Sequence, residues 1–289
     1  MNEHALLVSS ASGPLSVIVT EPASSPRAAA VLLHGGGSGR SGNNRVFVRL
    51  ARALAELGIV VVRADYPGQG DSAGFGDAGT RRGDAQGDYA AIRDLFAWFR
   101  ERSGDLDLIL IGSCYGARVG SRFAAQDPRL AAVALMAPAL HVFTTAKVEP
   151  MKPALKRAII AVLRAAPFRA LRRKRKPAAK RKLSDDAGYG DAVDRRVATS
   201  IAACVDRVPV WALAGEHDVA ARLLPKLRRQ LGKDGDRLQI EIVPDMVFHG
   251  YPVAESQQIA IERVLDWARA TLPELERRKA GSQRRSGEA

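Results

Sequence analysis

The stretch Leu108-Ile-Leu-Ile-Gly-Ser-Cys-Tyr-Gly116 decides the fold of this chain. Its four leading apolar residues predict a buried strand, and the pattern of residues 117–125 predicts a helix. Between them, Gly112 to Gly116 form a tight turn centred on Cys114. We expect the central residue to adopt a strained backbone conformation, and the two glycines to let the neighbouring strand and helix pass close by.

Cys114 is the residue that this turn presents. A thiol at a helix N-terminus is favoured as a thiolate by the helix dipole and the free N–H groups, so we expect Cys114 to be a nucleophile. The alternative is a structural cysteine, since free cysteines are among the most buried residues in proteins. The rest of the chain has to decide between the two.

Composition is that of an ordinary globular protein. The chain has 289 residues, of which 46% are hydrophobic and 26% charged, enough for a substantial core. No apolar run approaches the roughly 20 residues of a membrane span, and the N-terminus shows no signal-peptide pattern. Cys114 and Cys204 are the two cysteines. This low number predicts a reduced, cytoplasmic setting.

The positive charge is concentrated in one segment. The formal net charge is +13. Residues 147–182 hold fourteen Lys or Arg and a single acid, Glu149, so this segment accounts for the whole excess. The basicity therefore belongs to one segment and not to the fold as a whole.

Strands and helices alternate along the chain. Strands that are apolar throughout, separated by amphipathic helices, predict a mostly parallel sheet with helices on both faces. The first two strands alternate more and predict an antiparallel edge. Polar clusters follow the strands, so we expect them to meet at the carboxyl edge of the sheet, where ligands bind. These clusters are residues 34–39, residues 65–72, Cys114, Asp218 and His249.

The order nucleophile, acid, histidine is that of the α/β-hydrolases, and the chain resembles this superfamily from about residue 5 to residue 272. The motifs that carry the resemblance are HGGGSG at His34, DYPGQGDS at Asp65, GSCYG at Gly112, GEHD at Gly215 and FHGY at Phe248. The elbow cysteine is similar to that of the dienelactone hydrolases. The long insertion is unlike those compact enzymes and resembles the lidded esterases and thioesterases.

The resemblance implies an α/β-hydrolase fold with an inserted helical cap. We expect an α/β-hydrolase core at residues 1–138 and 209–272, a basic cap or lid at 139–208, and a disordered tail at 273–289. Within the insertion, residues 151–168 and 193–205 have helical patterns. An insertion at this place lies over the strand ends, where a lid shapes specificity.

The resemblance and the chemistry together assign a role to each candidate. Cys114 would attack an acyl carbonyl, His249 would carry the proton, and Asp218 would orient the imidazole. The oxyanion would be met by the backbone N–H of Tyr115. Its second donor would come from the glycine loop, with Gly36 expected and Gly37 as the alternative.

Other polar residues compete for these roles. His249 could be a solvated loop histidine, although it is the only histidine after Asp218. Asp65 is an alternative acid, for which support of a turn is expected instead. We expect His34 to bond nearby backbone. Ser113 precedes the centre of the turn, so its side chain should point away from the nucleophile position.

These features predict a hydrolase of an ester, thioester or lactone that acts through an acyl-enzyme. Two alternatives remain open, an acyltransferase and a non-catalytic binding homologue. We expect no cofactor and no metal, because no ligand spacing fits zinc and HGGGSG lacks the end of a phosphate loop.

The main ligand that the sequence predicts is a small-molecule acyl substrate. The basic segment could dock an acidic carrier protein or a CoA ester, or it could be a solvated surface loop. Nucleic acid is disfavoured because stacking aromatics are nearly absent there; anionic lipid stays open. The oligomeric state is not predicted.

Overall fold

A computed structural model describes residues 1–74, 86–143 and 189–286. The strands in these ranges are β1 (Asn2–Val8), β2 (Leu15–Glu21), β3 (Ala28–Leu33), β4 (Ile59–Ala64), β5 (Leu108–Ser113), β6 (Leu130–Met136), β7 (His141–Phe143), β8 (Tyr189–Val193), β9 (Val210–Gly215) and β10 (Leu238–Val243). The α-helices are α1 (Val46–Glu56), α2 (Gln86–Ser103), α3 (Tyr115–Ala124), α4 (Arg195–Arg207), α5 (Val219–Gln230) and α6 (Ala254–Ser286).

Eight of the described strands form one sheet in the order β1-β2-β4-β3-β5-β6-β9-β10. From β4 to β10 every neighbouring pair is parallel, while β1 and β2 are antiparallel and form one edge. The predicted mostly parallel sheet with an antiparallel edge is therefore confirmed.

The central strands β3, β4, β5, β6 and β9 are buried along their whole length, because helices cover both faces. One apolar core contains side chains of α2, α3, α4 and α5, and the other contains side chains of α1 and α6. Parallel strands buried on two faces need apolar side chains at every position. This is the reason that the continuous apolar runs in the sequence predicted them correctly.

The last helix differs from the prediction. The pattern predicted a helix that ends at residue 272, with a disordered tail from Pro273, whereas α6 continues through Pro273 to Ser286. Leu275 is buried in the same core as α1, and Glu276 lies 2.7 Å from Arg27 in an ion pair. The prediction was wrong because these tertiary contacts outweigh the local preference of proline against helix.

The region around the insertion is only partly described. Two short strands inside the predicted insertion, β7 and β8, pair antiparallel as a second small sheet, which the sequence did not predict. The helix predicted at 193–205 is confirmed as α4. The predicted cap helix at 151–168 and the basic segment at 147–182 lie outside the described residues. The division into core and cap stays a prediction. No helix in the described ranges is long and apolar enough to cross a membrane.

Candidate active site

The turn after β5 has the geometry that the sequence predicted. Cys114 has φ 50° and ψ −111°, and α3 begins at the next residue. A Cβ on Gly116 would lie 2.0 Å from the carbonyl oxygen of Leu33, and one on Gly112 would lie 2.6 Å from the Cα of Ala117. Only glycine tolerates such close approach, so the strand–turn–helix unit requires both residues.

Cys114 opens into a small pocket at the carboxyl edge of the sheet. Its backbone is held on both sides, because its N–H donates to Met136 O at 2.9 Å and its carbonyl accepts from Ala139 N at 3.1 Å. The side chain is partly exposed. The pocket encloses about 60 Å³, and its wall is formed by Gly35, Gly36, Ser38, Gly42, Asn43, Phe47, Ser113, Cys114, His249, Gly250 and Tyr251.

Burial opposes ionisation of the thiol. It raises the pKa of Cys114 to about 11, the hydrogen bond from the Tyr115 N–H opposes this rise, and the charge of Asp218 adds to it. Desolvation therefore acts against the lowering of the pKa that we expected from the helix N-terminus. A nucleophilic Cys114 needs a base that removes its proton during attack.

Asp218 is buried at the start of α5 and binds backbone N–H groups. Its Oδ2 accepts from Gly215 at 2.8 Å and from Phe248 at 3.0 Å, and its Oδ1 accepts from His249 at 2.9 Å. The carboxylate thus holds the end of β9 and the loop that carries His249. A carboxylate has about four lone-pair sites, so Oδ1 retains one for a further donor.

His249 is exposed and lies in the wall of the Cys114 pocket. Among the described residues, no hydrogen bond joins its ring to Asp218 or to Cys114. Asp218 therefore contacts His249 through the backbone N–H of His249, and His249 and Cys114 share the wall of one pocket. Exposed side chains exchange rotamers within nanoseconds, and catalytic hydrogen bonds often tighten only when substrate is bound.

Of the predicted oxyanion donors, Tyr115 is the first residue of α3, directly after Cys114, and Gly36 belongs to the pocket wall. Gly37, the alternative donor, is not among the residues that line this pocket. Sequence reasoning missed Gly35, whose Cβ position lies 3.4 Å from the Cβ of Cys114. Its signal was the adjacent HGGG run.

His34 and Asp65 have the structural roles that the sequence predicted. The Nδ1 of the buried His34 lies 2.6 Å from the carbonyl oxygen of Gly35, which fixes the glycine loop. Asp65 is buried, accepts from the Arg40 N–H at 2.6 Å and forms an ion pair with the Arg40 guanidinium. Asp65 supports the turn, and Arg40 already binds both of its carboxylate oxygens, which leaves it unsuited to orient a catalytic histidine.

Tyr251 and His141 also lie near the pocket, and sequence reasoning gave them no role. The Tyr251 hydroxyl lies 2.9 Å from Ser113 Oγ, so the hydroxyl of the serine is engaged by a hydrogen bond. Tyr251 was visible in the FHGY motif. Burial, with smaller contributions from Arg118 and His249, lowers the pKa of His141 to about 4. No motif marked that residue.

A group of possible metal ligands lies beside Asp218, although the sequence predicted none. One ligand atom from each of Glu216, His217 and Asp245 lies within 4.8 Å of the others. All three side chains are exposed, and the Glu216 carboxylate already accepts from the Asp245 N–H at 3.0 Å. We assign no metal to this group.

Solved structures share this fold at low identity. An α/β serine hydrolase without a lid from Xanthomonas campestris is 22% identical, with 96% of this chain and 94% of that chain covered and a TM-score of 0.54. A dienelactone hydrolase from Anabaena variabilis is 15% identical, with 93% and 98% covered and a TM-score of 0.60. An α/β serine hydrolase homologue from Coxiella burnetii is 18% identical, with 91% and 98% covered and a TM-score of 0.57.

No curated protein matches the sequence. A family model described as serine aminopeptidase, S33, matches residues 24–224, which include β3 to β9 with the elbow and Asp218. Together with the fold, this match shows that the chain is a hydrolase of the α/β-hydrolase type and belongs to the serine aminopeptidase S33 family.

Proposed function

We propose that this protein is a cysteine-dependent hydrolase of carboxylic esters, thioesters or lactones. The observation that carries the proposal is the shared pocket of Cys114 and His249, whose loop is held by the buried carboxylate of Asp218. The family and several neighbours are named for a serine nucleophile, but here a cysteine occupies the elbow and the adjacent Ser113 is bonded to Tyr251.

In the acylation step, the sulfur of Cys114 attacks the carbonyl carbon while His249 accepts the thiol proton. Since burial raises the pKa of this thiol to about 11, proton transfer has to accompany attack. The carbonyl π electrons move to oxygen, and the tetrahedral intermediate then expels the leaving group. His249 returns the proton to that group, and the acyl group remains on sulfur.

The backbone N–H groups of Tyr115 and Gly36 would bind the developing oxyanion. Tyr115 directly follows Cys114 at the start of α3, and Gly36 lines the same pocket as Cys114. Each such donor contributes about 3 kcal/mol to lowering the barrier. For hydrolysis of the acyl-enzyme, His249 removes a proton from water, the water oxygen attacks the thioester carbon, and the sulfur leaves and regains the proton.

Asp218 orients the imidazole in this scheme. When the His249 side chain turns toward the pocket, its second ring nitrogen can donate to the remaining lone pair of Oδ1. The buried carboxylate then stabilises the imidazolium that forms during each proton transfer. Its three backbone hydrogen bonds fix the carboxylate for this task.

A substrate panel tests the proposal. Aryl esters, acyl thioesters, a lactone and an aminoacyl anilide are assayed with the wild type, Cys114→Ala and Cys204→Ala. We expect activity on at least one of the first three classes, a loss of about 10³-fold or more for Cys114→Ala, and no loss for Cys204→Ala. An active Cys114→Ala enzyme, or activity on the anilide alone, contradicts the proposal.

The basic segment gives the remaining part of the proposal. Its fourteen Lys and Arg residues suit an anionic substrate such as a CoA ester or the surface of an acidic carrier protein. Salt screens such contacts, so KM for an anionic thioester should rise with ionic strength while KM for a neutral aryl ester stays constant. The same dependence of KM on ionic strength for both substrates would contradict binding of a CoA ester or an acidic carrier protein by the basic segment. The free thiols of Cys114 and Cys204 favour a reducing, cytoplasmic location.

A further inference from the structure

Tyr251 lies two residues after His249 and is buried in the wall of the same pocket. Its φ of 48° is in the left-handed region, which a tyrosine adopts only when the surrounding structure holds it there. Its N–H donates to Phe248 O at 3.2 Å, which closes a tight turn around His249.

The backbone of Tyr251 is anchored to two helical regions. Its carbonyl oxygen accepts from Asn44 Nδ2 at 3.0 Å and from Gln257 Nε2 at 3.2 Å. Its hydroxyl reaches the other way, to Ser113 Oγ at 2.9 Å and Met136 Sδ at 3.9 Å. Ser113 is the residue immediately before Cys114, so one side chain connects the turn of the histidine with the elbow of the thiol.

We propose that Tyr251 is a positioning residue, and that its hydrogen bond with Ser113 sets the distance between the imidazole of His249 and the sulfur of Cys114. This inference rests on the proposed function. Asp218 binds the N–H of His249 from one side of the turn, and Tyr251 fixes the other side to β5. Asn44 and Gln257 hold the Tyr251 carbonyl, so loss of the hydroxyl contact releases only the side of the turn that faces β5.

The surroundings keep this bond intact across the working pH range. Tyr251 and Ser113 are both buried. Burial raises the pKa of Tyr251, opposed by the bond to Ser113 and aided by the nearby charge of Asp218, so its hydroxyl keeps its proton. Neither hydroxyl needs to touch the substrate, because the effect is transmitted through the loop.

The test is a double-mutant cycle with Tyr251→Phe, Ser113→Ala and the double variant, assayed on an aryl ester. Since small displacements of a catalytic group are costly, we expect each single variant to lose about tenfold in kcat with KM unchanged. The double variant should lose no more than either single variant, since all three lack the same bond. Ser103→Ala is the matched control, because its buried hydroxyl donates to Phe99 O at 2.6 Å at the end of α2.

Alkylation of Cys114 by iodoacetamide gives a second readout. If His249 is displaced from the thiol, the alkylation rate at neutral pH should fall in parallel with kcat in both single variants and stay at the wild-type value in Ser103→Ala. Thermal unfolding shows that each variant is folded.

Wild-type kcat and alkylation in Tyr251→Phe overturn the inference, as does a double variant whose loss is the product of the two single losses. A KM effect alone also overturns it. If Cys114→Ala is inactive while Tyr251→Phe is fully active, only this inference fails. If Cys114→Ala keeps full activity, the proposed function itself fails.

Discussion

The two cysteines of this chain lie in regions that treat a thiol in opposite ways. Cys204 is in the last turn of α4, is fully buried, and its sulfur donates to Ser121 O at 3.3 Å. Cys114 is on a strained turn, partly exposed, and faces a pocket with a histidine in its wall.

The pKa does not separate the two cysteines. Burial raises the pKa of Cys204 to about 12 and that of Cys114 to about 11. What differs is access and the presence of a base. The proposed nucleophilic role of Cys114 therefore depends on access and on a nearby base, and not on a lowered pKa.

Selective alkylation should show the largest difference. We expect iodoacetamide to modify Cys114 at least about 10³ times faster than Cys204 in the folded protein, because Cys204 becomes accessible only through local unfolding. Peptide mapping after timed quenching measures both rates in one sample. Equal alkylation rates at the two cysteines, with the protein shown to be folded by circular dichroism, would contradict the difference in reactivity.

Substitution of each cysteine by serine tests, through enzyme activity, whether only Cys114 acts as a nucleophile. Cys114→Ser should reduce kcat/KM by about 100-fold, since a hydroxyl is a much weaker nucleophile at neutral pH than a thiol. Cys204→Ser should leave kcat/KM unchanged, which is measured with the same aryl ester. Full activity of Cys114→Ser would show that the site is built for an alcohol, as in the serine hydrolases named among its structural neighbours.

The free energy of unfolding should depend more on Cys204 than on Cys114. Cys204→Ala removes a buried sulfur and its bond to Ser121, and should lower the free energy of unfolding by about 1–2 kcal/mol. Cys114→Ala should cost less because its side chain borders a pocket. Urea unfolding of both variants measures the two losses, and a larger loss at Cys114 would indicate a structural cysteine there.

The strands and the elbow could be predicted because their causes are local. Apolar runs specify buried strands, and Gly112 and Gly116 are required by contacts with residues next to them in the fold. The order of Cys114, Asp218 and His249 predicted that they meet. The sequence could not show that Asp218 would bind the backbone of His249, since this depends on how the ends of β9 and β10 are placed.

Other features depend on long-range packing and escaped prediction. The pKa of Cys114 follows from burial, which a helix N-terminus in the sequence does not reveal. The continuation of α6 past Pro273 depends on Leu275 and on the Arg27–Glu276 pair, which joins opposite ends of the chain. The sequence did not predict the β7–β8 pair because the two strands are short and lie far apart in the chain, at 141–143 and 189–193.

The last prediction concerns the pH dependence of the free energy of unfolding, through the buried His141. Burial lowers the pKa of His141 to about 4, below its unfolded value of about 6.5. Between these values the unfolded chain binds more protons, so this residue makes stability fall as pH drops from about 6.5 to about 4. The slope should approach at most about 1.4 kcal/mol per pH unit.

Urea unfolding across this range checks the dependence on His141. His141→Asn should flatten the slope, whereas His217→Asn, at an exposed histidine, should leave it as in the wild type. An identical slope in His141→Asn would remove this residue as the cause.

Trapping the acyl-enzyme tests the central claim most directly. The protein is mixed with an activated aryl acetate, quenched in acid within the first turnover, and analysed by intact mass and peptide mapping. We expect one acetyl group on the peptide that contains Cys114, decaying as product forms and absent from Cys114→Ala. An acetyl group on Ser113, or turnover with no adduct at Cys114, would contradict it.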